Sequence, residues 1–168
     1  MSTLAVMTRL QLNFQDMKAS GIARAFLFEP VTPIDTLDLP AVYPFQVGRM
    51  TGQTPRKQDS AGQYLVERDY GYRMLVTALQ AASMDSTDDG AYIDSQACNL
   101  IDVIVDYFMQ HPRLSTSTLP DLDFNTQDIE VQDSGLVTRP GPGGSQYRAV
   151  DYTLIIAERR YPKGARLS

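Results

Sequence analysis

The chain has 168 residues, of which 43% are hydrophobic and 21% are charged, and its formal net charge is −5. A chain of this length buries about 70% of the surface that it exposes when unfolded, so one domain with an ordinary hydrophobic core is expected. This composition excludes a disordered or fibrous protein, and the negative charge disfavours nucleic-acid phosphates as the main ligand. The lone Cys98 excludes an internal disulfide. Because the N-terminus has no signal-peptide pattern and no apolar stretch reaches membrane-spanning length, we expect a cytosolic protein unless a larger particle carries it.

The first part of the chain predicts one helix and two strands. Apolar residues at helical spacing follow a Ser/Thr cap and precede Gly21, and these are Leu4, Met7, Leu10, Phe14 and Met17. Residues 22–28 are aromatic and aliphatic and predict a short strand, and residues 40–47 predict a second one. In the second strand Pro44 cannot donate a ladder hydrogen bond, which favours a sheet edge or a bulge.

A polar loop and a long strand are predicted next. Residues 48–62 are turn-rich and carry several basic side chains, and loops of that length in compact domains are usually functional or disordered. Residues 64–79 alternate between apolar and polar side chains, which predicts a strand with one buried face and a bulge or bend at Gly71. The buried face is expected to comprise Tyr64, Val66, Tyr70, Tyr72, Met74 and Val76. Residues 83–90 predict an exposed acidic turn.

The clearest helix signal covers residues 94–111. Its apolar stripe consists of Ala97, Leu100, Ile101, Ile104, Val105 and Phe108. Asp102 and Asp106 fall on the opposite, hydrated side. Asp94 or Ser95 can cap the first turn, and a proline at position 112 disfavours helical backbone at the preceding residue.

The C-terminal part predicts a connection and a hairpin. Residues 113–127 form the connection, with a short extended piece at 119–124, and strands at 129–138 and 147–159 flank a wide loop. One face of the last strand carries Val150, Tyr152, Leu154 and Ile156. The complete order predicts an α+β fold, a two-layer sandwich in which two helices pack on one face of an antiparallel or mixed sheet of about four to five strands. Residues 1–161 are expected to form this single domain and residues 162–168 a loose tail.

Catalytic chemistry has little support in the sequence. The only histidine, His111, falls at a helix end, thirteen positions from Cys98, so the two cannot form a dyad within the helix. The acidic groups lie in polar connections without an apolar wall that would shift a pKa, and these are Asp85, Asp88, Asp89, Asp121 and Asp123. The glycine-rich residues 140–144 lack the Lys-Ser/Thr that completes a phosphate loop. We therefore predict no catalytic, cofactor-binding or metal-binding residue, and no enzyme.

Basic side chains give two long predicted loops a mild positive character on an acidic protein. They are Arg49, Arg56, Lys57, Arg139 and Arg148. Two interpretations stay open, namely ordinary solubility and turn chemistry or contact with a protein partner.

The order of these segments resembles the tail terminator proteins of long-tailed bacteriophages, the lambda-type family that includes tail-to-head joining proteins. The resemblance covers nearly the whole chain. It rests on the N-terminal helix, the segment LDLPAVYPFQVG at 37–48, the strand ending in MLVTALQ at 74–80, the helix at 94–111, and the hairpin ending in VDYTLIIAERR at 150–160. It is a match of pattern more than of identical residues.

The resemblance implies a structural virion protein that forms a ring, expected to be a hexamer, on the head-proximal end of the tail tube. In that family the ring stops polymerisation of the major tail tube protein and then presents a surface to a head-completion or neck protein. DNA passes through the lumen without specific binding, no membrane is involved, and assembly takes place in the host cytoplasm. In this interpretation the five basic residues bind partners, and Asp102 and Asp106 face the lumen or a neighbouring subunit.

Two alternatives remain. One is another neck, head–tail connector or tail-completion protein of the same virion. The other, from a different class, is a small α+β enzyme or ligand-binding domain.

Overall fold

A computed structural model describes residues 3–50, 56–57, 64–79, 87–122 and 128–160 of the chain. This part of the chain contains two α-helices and six strands. The helices are α1 (Thr3–Asp16) and α2 (Thr87–Gln110), and the strands are β1 (Arg24–Ala25), β2 (Ala41–Met50), β3 (Arg56–Lys57), β4 (Tyr64–Ala78), β5 (Glu130–Pro140) and β6 (Gln146–Arg160).

The strands form one open mixed sheet in the order β1-β2-β4-β6-β5. β1 pairs with β2 in parallel, and the other pairs are antiparallel. The short β3 pairs with β4 along the same side as β2, because β6 occupies the other side over the same residues. Both helices pack against this sheet, so the predicted α+β fold is confirmed.

The main core lies between the helices and one face of the sheet. Alternate residues of β4 and β6 supply the sheet side as predicted, and these are Tyr70, Tyr72, Met74, Val76, Val150, Tyr152, Leu154 and Ile156. The helices supply Leu10 and Phe14 from α1 and Ile104 and Phe108 from α2. Period-two strands and period-3.6 helices thus bury their apolar stripes against each other.

The helix predicted at 94–111 is confirmed in its faces and end but begins earlier. Residues 87–90, predicted as part of an acidic turn, form the first turn of α2, where the helix dipole favours carboxylates. Residues 83–86 lie outside the described part. The helix ends at Gln110, one residue before His111, whose N–H still donates to the Tyr107 carbonyl at 2.9 Å.

The opposite face of the sheet carries a smaller core. Its buried members are Ile34, Ala41, Tyr43, Leu75, Tyr147 and Ala149, with Phe26 and Leu39 packed against them. The strand predicted over 22–28 is therefore mostly wrong, since only Arg24 and Ala25 are in a strand. The chain leaves the sheet after Phe26 because the following segment crosses to cover this second face.

Two predicted loops are shorter than expected because strand pairing continues into them. Residues 48–50 extend β2, and Arg49 lies opposite Asp69 of β4. Residues 51–55 and 58–62 lie outside the described part. In the final hairpin, Pro140 and Gln146 still pair, and the Gly141 N–H donates to the Ser145 carbonyl at 2.7 Å.

Other local predictions have mixed outcomes. A register shift between Pro44 and Gln46 confirms the bulge predicted at Pro44. Residues 119–122 are not in a strand, and positions 123–124 and the predicted tail at 162–168 lie outside the described residues. Neither α1 nor the described length of α2 has the stretch of apolar residues needed to cross a membrane.

Candidate functional site

The helices meet at their C-terminal ends in a polar cluster, here called the helix-end network. It comprises Asn13, Asp16, Tyr107, His111, Ser115 and Ser117. The Asn13 amide donates to the Ser115 carbonyl at 2.8 Å and to the Tyr107 hydroxyl at 3.3 Å. Beside the network, the Arg9 guanidinium donates to the carbonyls of Leu114 and Pro120. The network therefore fastens residues 112–120 to both helices.

Asp16 is the main acceptor of the helix-end network. Its carboxylate accepts from the Tyr107 hydroxyl at 2.8 Å, from the Ser117 N–H at 3.0 Å and from the Ser117 hydroxyl. The Ser117 hydroxyl, with smaller help from Tyr107 and from nearby His111, lowers the pKa of Asp16 although partial burial opposes this. Burial, together with the Asp16 charge, raises the pKa of Tyr107 to about 12.

His111 lies in the network without the arrangement of a catalytic triad. Its Nδ1 is 2.9 Å from the Ser115 hydroxyl, and its ring stacks on Tyr107 with centroids 4.4 Å apart. In a triad a carboxylate orients the imidazole, whereas Asp16 is hydrogen-bonded to Tyr107 and Ser117. The geometry suits a clamp that orders the connection after α2.

The helix-end network was not found from the sequence because Asn13 and Asp16 are about ninety residues or more from their partners. One signal was available. Asn13 is fully buried and interrupts the apolar stripe of α1 next to Phe14, and a buried polar side chain needs a hydrogen-bond partner.

Asp16 should make stability depend on pH. Because its pKa is lower in the folded than in the unfolded chain, its contribution to the free energy of unfolding is present above the unfolded value of about 4. That contribution is lost as the pH falls through the lowered folded pKa. We expect D16N to be less stable than the unsubstituted protein at pH 7, with the gap narrowing toward pH 3, in urea denaturation. The exposed Asp106→Asn serves as the control, and equal pH profiles for the two variants would contradict this role.

The structure separates the five predicted partner-binding cations and places all of them in strands. The loop prediction is therefore wrong for Arg49, Arg56, Lys57 and Arg139, whereas Arg148 lies in the strand predicted at 147–159. Arg139 Nε donates to Asp151 at 3.0 Å, and Arg148 Nε donates to Asp94 of α2 at 3.2 Å. Arg139 pairs with Tyr147 and so shares its face, whereas Arg148, the next residue, points to the helix side. Arg49 in β2 and Arg56 and Lys57 in β3 instead lie opposite residues of β4. Partner binding by these five residues stays a prediction.

A further cation, Arg73, was missed by the sequence reasoning. Its guanidinium binds both oxygens of Asp151, at 2.7 and 3.2 Å, and lies over the Phe45 ring. Burial would lower the pKa of Arg73, but the hydrogen bonds and charge of Asp151 raise it above the ordinary value. Arg73 and Arg139 thus share one carboxylate on the face away from the helices, and Asp151 orders both.

The predicted acidic row on α2 is exposed. Asp102 and Asp106 lie on the side of the helix that does not pack on the sheet. They remain candidates for a lumen or a subunit contact. No described residues form a group of three or more His, Cys, Asp or Glu side chains placed to hold a metal ion.

The remaining surface features are the ends of the sheet. Among the described strands β5 pairs with β6 alone, and it is exposed or half-buried along its whole length. At the other end, an open groove of about 450 Å³, here called the β1 groove, lies between α1 and β1 and is lined by Gln11, Gln15, Lys18 and residues 22–27. Large apolar side chains are exposed elsewhere, namely Leu4, Leu12, Phe28, Val31, Leu37 and Met109.

These features define an α+β protein with an open sheet, two dissimilar sheet ends and a helix-end network that orders the connection after α2. No protein-family model matches the chain, and comparison with curated proteins finds no similar sequence.

Proposed function

We propose that the protein is a ring-forming tail terminator of a long-tailed bacteriophage. The observation that supports this most is the open sheet with two unlike ends, β5 at one and the β1 groove at the other. A cyclic ring is built from head-to-tail contacts, in which one patch meets a different patch on the next subunit. A sheet with matching ends would favour a two-fold dimer instead.

The exposed apolar side chains add to this support. Val31 and Leu37 are 90% and 87% exposed and lie in the segment that covers the second face of the sheet. Leu4 and Leu12 are exposed on α1. Solvent-exposed apolar side chains gain free energy when a partner covers them, and an assembly protein supplies that partner.

The distribution of charge suits a ring on a tube. Arg49 in β2 and Arg56 and Lys57 in β3 belong to strands that pair with the same side of β4, and in our proposal they bind the major tail tube protein or the neck protein. Asp102 and Asp106 would line the lumen or a subunit contact. In the lumen their carboxylates would repel DNA phosphates, so that DNA passes through without being bound. The protein acts by surface recognition, without making or breaking a covalent bond.

The test is to purify the full chain, image it by negative-stain electron microscopy, and add it to growing tail tubes. We expect rings and tubes of arrested length. The double variant Arg56→Glu/Lys57→Glu should keep its circular dichroism spectrum and lose most capping, because it reverses two of the three charges that we propose to bind the tube or neck protein. Arg113→Glu, which reverses an exposed charge on the connection after α2, is the control.

Other outcomes separate the alternatives. A strictly monomeric protein that never caps a tube would contradict the terminator. Immunolabelling that finds the protein on complete virions but not on headless tails would support a neck connector.

A further inference from the structure

We infer that neighbouring subunits continue one another's sheets, with the first half of β5 from one subunit seated antiparallel in the β1 groove of the next. This inference rests on the proposed ring. The occupant of the groove is a second copy of this chain.

Strand directions allow this contact. β5 is antiparallel to β6, β6 to β4 and β4 to β2, while β1 is parallel to β2. β1 therefore runs opposite to β5. When one sheet continues into the next, β5 and the neighbour's β1 form an antiparallel pair, in which main-chain hydrogen bonds join the two subunits.

Each of the two edges has a local structure that suits pairing with a strand of another subunit. The register of β5 breaks between Asp133 and Leu136, where Gly135 has a φ of 68°, so Glu130–Asp133 is a short straight segment before a bulge. In the β1 groove the Ala25 carbonyl accepts from the Gln11 amide at 3.1 Å. Gln11 therefore supplies a donor where the N–H of an added strand would lie, and can release the carbonyl to that strand.

The charges of the two edges are complementary on each face of the sheet. On the helix side, Asp133 of β5, which pairs with Tyr152, would meet the exposed Lys18 that follows α1. On the other side of the sheet, Glu130, which pairs with Ile155, would meet Arg24 of the neighbouring subunit, which pairs with Ala41. Lys18 has no ion-pair partner among the described residues, and the exposed Arg24 binds the half-buried Asp38 at 2.8 Å and lies 4.8 Å from the centre of the Phe26 ring.

The experiment is a charge exchange in the full chain, read by sedimentation velocity and electron microscopy. We expect Arg24→Glu and Glu130→Lys each to raise the dissociation constant of the ring about tenfold or more, because a like-charge pair replaces an opposite-charge pair. The double variant should return to within about threefold of the unsubstituted protein. Lys18→Glu should weaken the ring as well, and Asp121→Lys, an exposed acid on the connection after α2, should leave it unchanged.

The outcomes distinguish this interface from the proposed function. The β5–β1 contact would be overturned, while the terminator function stands, if the single substitutions leave the dissociation constant of the ring unchanged. The same conclusion would follow if they raise it and the double variant does not restore it. An unsubstituted protein that forms no ring on its own or on tubes would overturn both. Thermal unfolding of each variant checks that a lost ring reflects the interface, because Arg24 is exposed and losing its ion pair with Asp38 and its contact with Phe26 should cost little stability.

Discussion

Ile104→Asp is expected to leave the chain unfolded at 25 °C. The Ile104 side chain is fully buried between α2 and the sheet. An aspartate there would lose its hydration without gaining a partner charge, at a cost of about 4–5 kcal/mol or more. That is comparable with the whole stability of an ordinary domain, about 5–15 kcal/mol. Circular dichroism and urea denaturation measure the result.

Two variants on α2 show whether burial is the cause. Ile104→Val keeps an apolar side chain and should cost about 1 kcal/mol. Asn99→Asp introduces the same carboxylate on the exposed side of α2 and should stay folded. A folded Ile104→Asp protein with a normal unfolding midpoint would show that α2 does not cover the sheet as described.

Tyr70→Phe is expected to lower the free energy of unfolding by about 2–3 kcal/mol. The Tyr70 hydroxyl donates to the carboxylate of Glu158, and both side chains are fully buried. Loss of a hydrogen bond to a buried charged group removes stabilisation and leaves the carboxylate less well solvated.

Tyr72→Phe is the matched comparison and should not lower the free energy of unfolding. Tyr72 lies two residues along β4 on the same face, but its buried hydroxyl has no hydrogen-bond partner in the part of the chain that the structure describes. Removing that hydroxyl should be neutral or stabilising by about 0.5 kcal/mol, since the ring can still pack on Phe14. Equal losses in the two variants by urea denaturation would contradict the assignment of the Tyr70–Glu158 hydrogen bond.

The proposed assembly and these stability predictions concern different parts of the molecule. Ile104, Tyr70 and Tyr72 lie in the core between the helices and the sheet, whereas Arg24 and Glu130 lie at its two ends. Variants of the ends can therefore test assembly without unfolding the subunit.

Elements with one buried face were predictable from local pattern. α2, β4 and β6 repeat their apolar residues at the helical or strand period, because each must cover one side of a common core. The two-layer α+β arrangement follows from those faces. The proline bulge in β2 was also predictable, because a proline lacks the N–H that a ladder needs.

Features that depend on distant partners emerged only from the folded chain. β2 and the final hairpin run further than their composition indicates because β4 and β6 continue to offer hydrogen bonds. Neighbouring positions along paired strands point to opposite faces of the sheet, so Arg139 and Arg148 lie on opposite faces. Asp151 binds Arg139 and Asp94 binds Arg148. Asp16 and Ser117 meet across about one hundred residues of chain. Periodicity reports which side of an element is buried, but pairing, register and desolvation decide what lies against it.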